Sequence, residues 1–73
     1  MRHATQLALA VADSRRWWLR GIPAGVRACD GLRIEDDSAL DYDGAESLLA
    51  GERVDLPTCP ACAVLLDEAL SRR

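Results

Sequence analysis

Thr58-Cys59-Pro60-Ala61-Cys62-Ala63-Val64-Leu65-Leu66-Asp67-Glu68-Ala69-Leu70 is the stretch from which the rest of the chain is read. Two cysteines separated by two residues can place both sulfurs on one tetrahedral metal, and N–H groups of the turn between them can hydrogen-bond the thiolates. From Ala63 to Ser71 the spacing predicts a helix. Leu66 and Leu70 lie four apart, Leu65 and Ala69 likewise, and Asp67 and Glu68 face outward. Thr58 or Cys59 would cap it, and Pro60 suits its first turn. Arg72 and Arg73 fall where cations favour the helix dipole.

One cysteine pair is half a site. The only other cysteine is Cys29 and the only histidine is His3. His3, Cys29, Cys59 and Cys62 therefore make a Cys3His set that leaves no soft ligand over. Cys29 precedes Asp30-Gly31, a turn with glycine where a metal knuckle needs permissive dihedrals. The fourth position is the most open: His3 fills it, or Asp30 or water does. Two other readings of the cysteines carry less weight. T-C-P-x-C before a helix resembles a thioredoxin or glutaredoxin active site, but those families place the motif early in a βαβ fold, and no such pattern follows here. Unmetallated cysteines acting as small apolar side chains are the plainer alternative.

Size favours the metal. A chain of 73 residues forms one domain, 1–73, and so small a domain buries only about 60% of its unfolded-chain surface. There is no Phe, one Tyr, and two adjacent Trp, while Ala supplies much of the 49% apolar fraction. So thin a core calls for a staple, and one structural Zn2+ is the expected cofactor. A catalytic zinc would need an open coordination position and a carboxylate base, and the acidic residues read more simply as solvated. The expectation is no enzyme activity.

Outside the motif, Thr5, Leu7, Leu9 and Val11 alternate with Gln6, Ala8 and Ala10, a period of two that suggests a strand, although Ala and Leu also favour helix. Ala12-Asp13-Ser14 reads as a turn. Arg16-Trp17-Trp18-Leu19-Arg20 reads as a strand, and Gly21 to Gly25 as a second turn. Val26 to Cys29 and Leu32 to Ile34 read as short strands about Asp30-Gly31. The expected fold is a small α+β domain: a zinc-stabilised antiparallel β meander with a short C-terminal helix. Glu35 to Asp43, with five acids in nine residues, reads as a solvated loop, and Ala45 to Ala50 as one helical turn ended by Gly51.

Arg16, Trp17, Trp18 and Arg20 are the candidate partner-binding residues, because Arg and Trp concentrate at binding hot spots. The plainer reading is one core Trp and one half-covered Trp among solvated Arg. Net charge is -3 and the pI about 4.9, which disfavours non-specific nucleic-acid binding and leans toward a protein partner. Yet Arg2, Arg15, Arg16, Arg20, Arg27 and Arg33 make the first half basic. A nucleic-acid-binding zinc ribbon with Trp stacked on bases is the alternative. Residues 4–12 are too short to span a bilayer, which takes about 20 residues. An odd cysteine count fits a reducing compartment, so a cytoplasmic location is expected. All basic residues are Arg and there is no Asn, a bias suggesting a GC-rich genome such as that of an actinobacterium or one of its phages.

Taken together, His3, Cys29 with Gly31, Thr58-Cys59-Pro60-Ala61-Cys62, and Leu65, Leu66 and Leu70 resemble small zinc-binding proteins of actinobacteria and their phages. The resemblance departs at Asp30, where glycine would be expected directly after the middle cysteine. It implies a zinc-ribbon-like fold and no activity. For a phage-encoded chain, it is compatible with a modulator of a host protein.

Overall fold

The computed structural model describes residues 1–13, 21–34 and 39–72. Three helices carry the fold: α1 (Gln6–Ala12), α2 (Tyr42–Leu49) and α3 (Pro60–Ser71). Helix α1 packs against both of the others. None of the helices is long and apolar enough to cross a membrane.

The antiparallel β meander is overturned: among the described residues there are only three isolated bridges, Ala4 with Leu40, Thr5 with Arg27, and Val26 with Arg33. Residues 6–12 are helical because the alternation there is of large and small apolar residues, not of apolar and polar ones. Thr5 caps the helix, its Oγ1 accepting from the Ala8 N–H at 3.0 Å. The face that α1 buries is Ala8, Val11 and Ala12, a spacing of three and four. The turn at Asp30-Gly31 does reverse the chain, but the pairing it closes is a single bridge. The expected strand at 16–20, with Arg16, Trp17, Trp18 and Arg20, lies outside the described residues, as does the acidic run at 35–38.

Helix α2 begins three residues before the expected turn. Asp41 Oδ1 accepts from the Gly44 N–H at 2.8 Å, and Asp43 sits in the first turn, where a carboxylate favours the helix dipole. These two acids therefore start a helix instead of ending a loop. Gly51, at φ +83°, stops it. The Gly51 N–H reaches the Leu48 carbonyl at 3.1 Å and the Glu52 N–H the Ser47 carbonyl at 2.9 Å, the two bonds of a glycine C-cap. Helix α3 starts at Pro60 with Cys59 as its N-cap, three residues earlier than the apolar spacing alone marks. It buries Cys62, Leu66 and Ala69. Arg72 closes its C-terminus and pairs with Glu68 at 3.6 Å and with Asp13, beyond α1, at 3.8 Å.

Among the described residues, the core is Ala4, Ala8, Val11, Ala12, Leu40, Ala45, Cys59, Cys62, Leu66 and Ala69. Half of these are Ala, so each contributes about a methyl group of burial. The largest fully buried side chains are Leu40, Val11 and Cys62. A cysteine of the Cys-x-x-Cys pair thus ranks with the principal core residues described.

Candidate metal centre

Residues 2–6 form the frame on which the site is built. They run extended between three other segments, and their backbone is paired to each. Leu40 donates to the His3 carbonyl at 2.9 Å and accepts from Thr5 at 2.9 Å. On the other edge, Ala28 donates to the Ala4 carbonyl at 2.8 Å, and Gln6 donates to Val26 at 3.0 Å. The Arg2 carbonyl accepts from both Thr58 and Cys59 at 2.9 Å, and the Arg2 N–H donates to Thr58 Oγ1 at 2.7 Å. His3, Cys29 and the Cys59–Cys62 turn are each held within one or two residues of these bonds. Backbone pairing, before any metal, brings the three segments together.

The Cys29 turn is locally specified. Gly31 adopts φ +75°, a conformation that costs a residue with a Cβ about 1–2 kcal/mol. Its N–H donates to the Arg27 carbonyl at 3.0 Å, and Asp30 Oδ1 accepts from the Leu32 N–H at 3.0 Å. Asp30 is exposed and also faces Arg27 Nε at 3.3 Å, so its carboxylate is engaged within its own turn.

Four ligand atoms converge: a ring nitrogen of His3 and the Sγ atoms of Cys29, Cys59 and Cys62, all within 4.8 Å of one another. His3 Nδ1 lies 3.7 Å from Cys29 Sγ and 3.6 Å from Cys62 Sγ. A tetrahedral ion with metal–nitrogen bonds of about 2.05 Å and metal–sulfur bonds of about 2.3 Å has nitrogen–sulfur edges of about 3.6 Å. The observed separations match that edge. All four residues singled out in the sequence are therefore in one group able to hold a metal ion, and Asp30, the alternative fourth ligand, is not in it.

Electrostatics explain why this group suits a cation. Partial burial, the adjacent Cys62 sulfur and Asp30 push the Cys29 thiol up to about 11. The Cys59 thiol is held below its ordinary value, chiefly by the backbone N–H of Cys62, with a further N–H from Ala61. Both amides belong to the first turn of α3, whose open end favours negative charge. The lowered Cys59 and the raised Cys29 reflect sulfurs crowded against one another, an opposition that a divalent cation would relieve; three thiolates with such an ion would carry a net charge of about -1.

Arg27 is a feature that motif reading did not single out as part of the site. Its Nη1 lies 3.3 Å from His3 Nε2. Guanidinium nitrogens only donate, so as a hydrogen bond this contact places the ring proton on Nδ1. An ion held on Nδ1 would require the ring proton on Nε2, where the guanidinium could no longer donate; Asp30 already stands beside Arg27 as its other partner. The spacing of Arg27 two residues before Cys29 was the available signal. The Arg16, Trp17, Trp18 and Arg20 patch lies outside the described residues. Comparison with protein-family models, curated proteins and solved structures finds no match in any of the three.

Proposed function

We propose that this chain is a small module closed by one structural zinc ion and that it binds a protein partner. The observation that carries the reading is the convergence of His3, Cys29, Cys59 and Cys62 from three separate segments to within 4.8 Å of one another, with His3 Nδ1 3.7 and 3.6 Å from two of the sulfurs. Three thiolates and an imidazole are a donor set that suits zinc, and soft sulfur ligands disfavour magnesium or calcium. Four protein ligands complete a tetrahedron and leave no coordination position for a substrate, which supports a structural role over a catalytic one. When bound, the ion supplies the cross-link; the residues place it. The turn at Asp30-Gly31 presents Cys29, the first turn of α3 presents Cys59 and Cys62, and the Arg2 clamp on Thr58 and Cys59 holds His3 beside them.

A protein partner is supported by the acidic net charge and by apolar side chains left exposed on a small surface: Leu32, Leu56 and Val64 are each more than half exposed. Two of the described basic side chains are engaged within the chain and so are less available to phosphate: Arg2 Nε donates to the Asp55 carbonyl, and Arg27 faces His3 and Asp30. The test has two parts. Elemental analysis of protein purified under reducing conditions should give one zinc per chain. Affinity capture from the lysate of a GC-rich bacterium should then enrich a protein with the zinc-loaded chain and not with a chelated control. Recovery of nucleic acid alone would reject the partner reading.

A further inference from the structure

The three cysteines are not equally buried. Cys62 is fully buried and Cys59 nearly so, while Cys29 is half-buried on a turn. The two buried cysteines are fixed at the start of α3, whereas Cys29 stands on the turn between Val26 and Arg33, whose backbone is anchored to residues 4–6. All three sulfurs fall within the 4.8 Å group. In the metal-bound form all three sulfurs would be thiolates and exposure would decide among them, so an oxidant arriving from solvent would meet Cys29 first, with a resolving sulfur beside it.

We propose that the centre is a peroxide-responsive switch, in which a hydroperoxide oxidises Cys29, a disulfide forms between Cys29 and a cysteine of the Cys59–Cys62 pair, and the metal is released. This inference rests on the metal-centre reading above. In the first step the Cys29 sulfur attacks a peroxide oxygen: an S–O bond forms, the O–O bond breaks, and the departing hydroxide takes up a proton as water. In the second step the neighbouring thiolate attacks the Cys29 sulfur: the S–S bond forms, the S–O bond breaks, and hydroxide leaves and is protonated. Two thiolates, one hydrogen peroxide and two protons give one disulfide and two waters, the sulfurs being oxidised and the peroxide oxygens reduced. One thiolate and one imidazole remain, too few to hold zinc. A Cys29 disulfide also ties the turn to α3 covalently, so the oxidised chain keeps a cross-link at the same place after losing the ion.

The sequence makes the linkage easy to read. Cleavage after arginine puts Cys29 in peptide 28–33 and both Cys59 and Cys62 in peptide 54–72. Zinc-loaded protein is titrated with hydrogen peroxide, zinc release is followed with a chromogenic chelator, and non-reduced peptides are mapped by mass spectrometry. The expected result is one zinc released per peroxide consumed, peptides 28–33 and 54–72 joined, and full reloading after dithiothreitol and zinc. Because Cys29→Ser is itself expected to lose zinc, the second readout is a dimedone trap on the parent protein: the first sulfenic acid should lie in peptide 28–33, and trapping in 54–72 alone would overturn the proposal. Zinc retained through excess peroxide, or released with an internal Cys59–Cys62 bond and Cys29 free, would overturn the switch while leaving the metal centre intact. Absence of zinc before any peroxide would instead reject the metal reading, and the peptide map would still decide whether Cys29 forms the disulfide.

Discussion

Metal withdrawal is the perturbation whose size follows most directly from this fold. Small domains have net stabilities of about 0.05–0.15 kcal/mol per residue, or about 4–11 kcal/mol for 73 residues. Among the described residues the core is light: half of it is Ala, and one of its three largest fully buried side chains is the candidate ligand Cys62. Structural zinc binds zinc-finger peptides with about 10–16 kcal/mol at neutral pH on a 1 M standard state. At about 10 µM free zinc that becomes a stabilisation of roughly 3–9 kcal/mol through mass action. The two ranges overlap, so the apo chain should be largely unfolded. A tenfold change in free zinc is worth about 1.4 kcal/mol, and each kcal/mol moves the midpoint of a domain this size by about 4–8 °C. Tm should therefore climb roughly 6–11 °C per decade of free zinc set with a metal buffer, followed by circular dichroism. Complete chelation should remove the cooperative transition. A melt unchanged after verified metal removal would show that the Ala-rich core suffices and that the four ligands are not a staple.

The ligand variants should follow burial and chemistry. Cys59→Ser and Cys62→Ser abolish folding, Cys29→Ser does nearly as much, and His3→Ala does less because water can take its place, all measured by zinc content and circular dichroism. Metal affinity should rise with pH. Cys29 is pushed up to about 11 and holds its proton until a metal displaces it, so acidification strengthens the competing proton and zinc should leave below about pH 5, read by a chelator dye. Gly44→Ala should destabilise by about 1–3 kcal/mol although it adds a helix-favouring residue. A Cβ there would lie 2.7 Å from Leu40 Cδ1, and Leu40 is fully buried; a gain in Tm would contradict the packing.

The sequence by itself determined the three cysteines of the candidate centre and the last helix. With only three cysteines and one histidine the soft donors are few, and an apolar spacing of three and four after the Cys-x-x-Cys pair marks a helix. The glycine stops were legible too, since Gly31 and Gly51 take the positive φ that other residues avoid. What lay beyond local reading was the path of the first 40 residues. At Leu7, Leu9 and Val11 a strand and a helix are both consistent with the residue types. The choice falls to helix because Thr5 caps it and because Ala8, Val11 and Ala12 find partners on α2 and α3. The meander failed for the same reason: the pairing capacity of residues 2–6 is spent on three different segments, so no two strands run alongside each other for long. Whether His3 or Asp30 completes the tetrahedron was also a tertiary matter. Bonds from Leu40, Ala28, Thr58 and Cys59 to residues 2–4 hold His3 at the sulfurs, while the short Asp30 side chain is drawn into its own turn by Leu32 and Arg27.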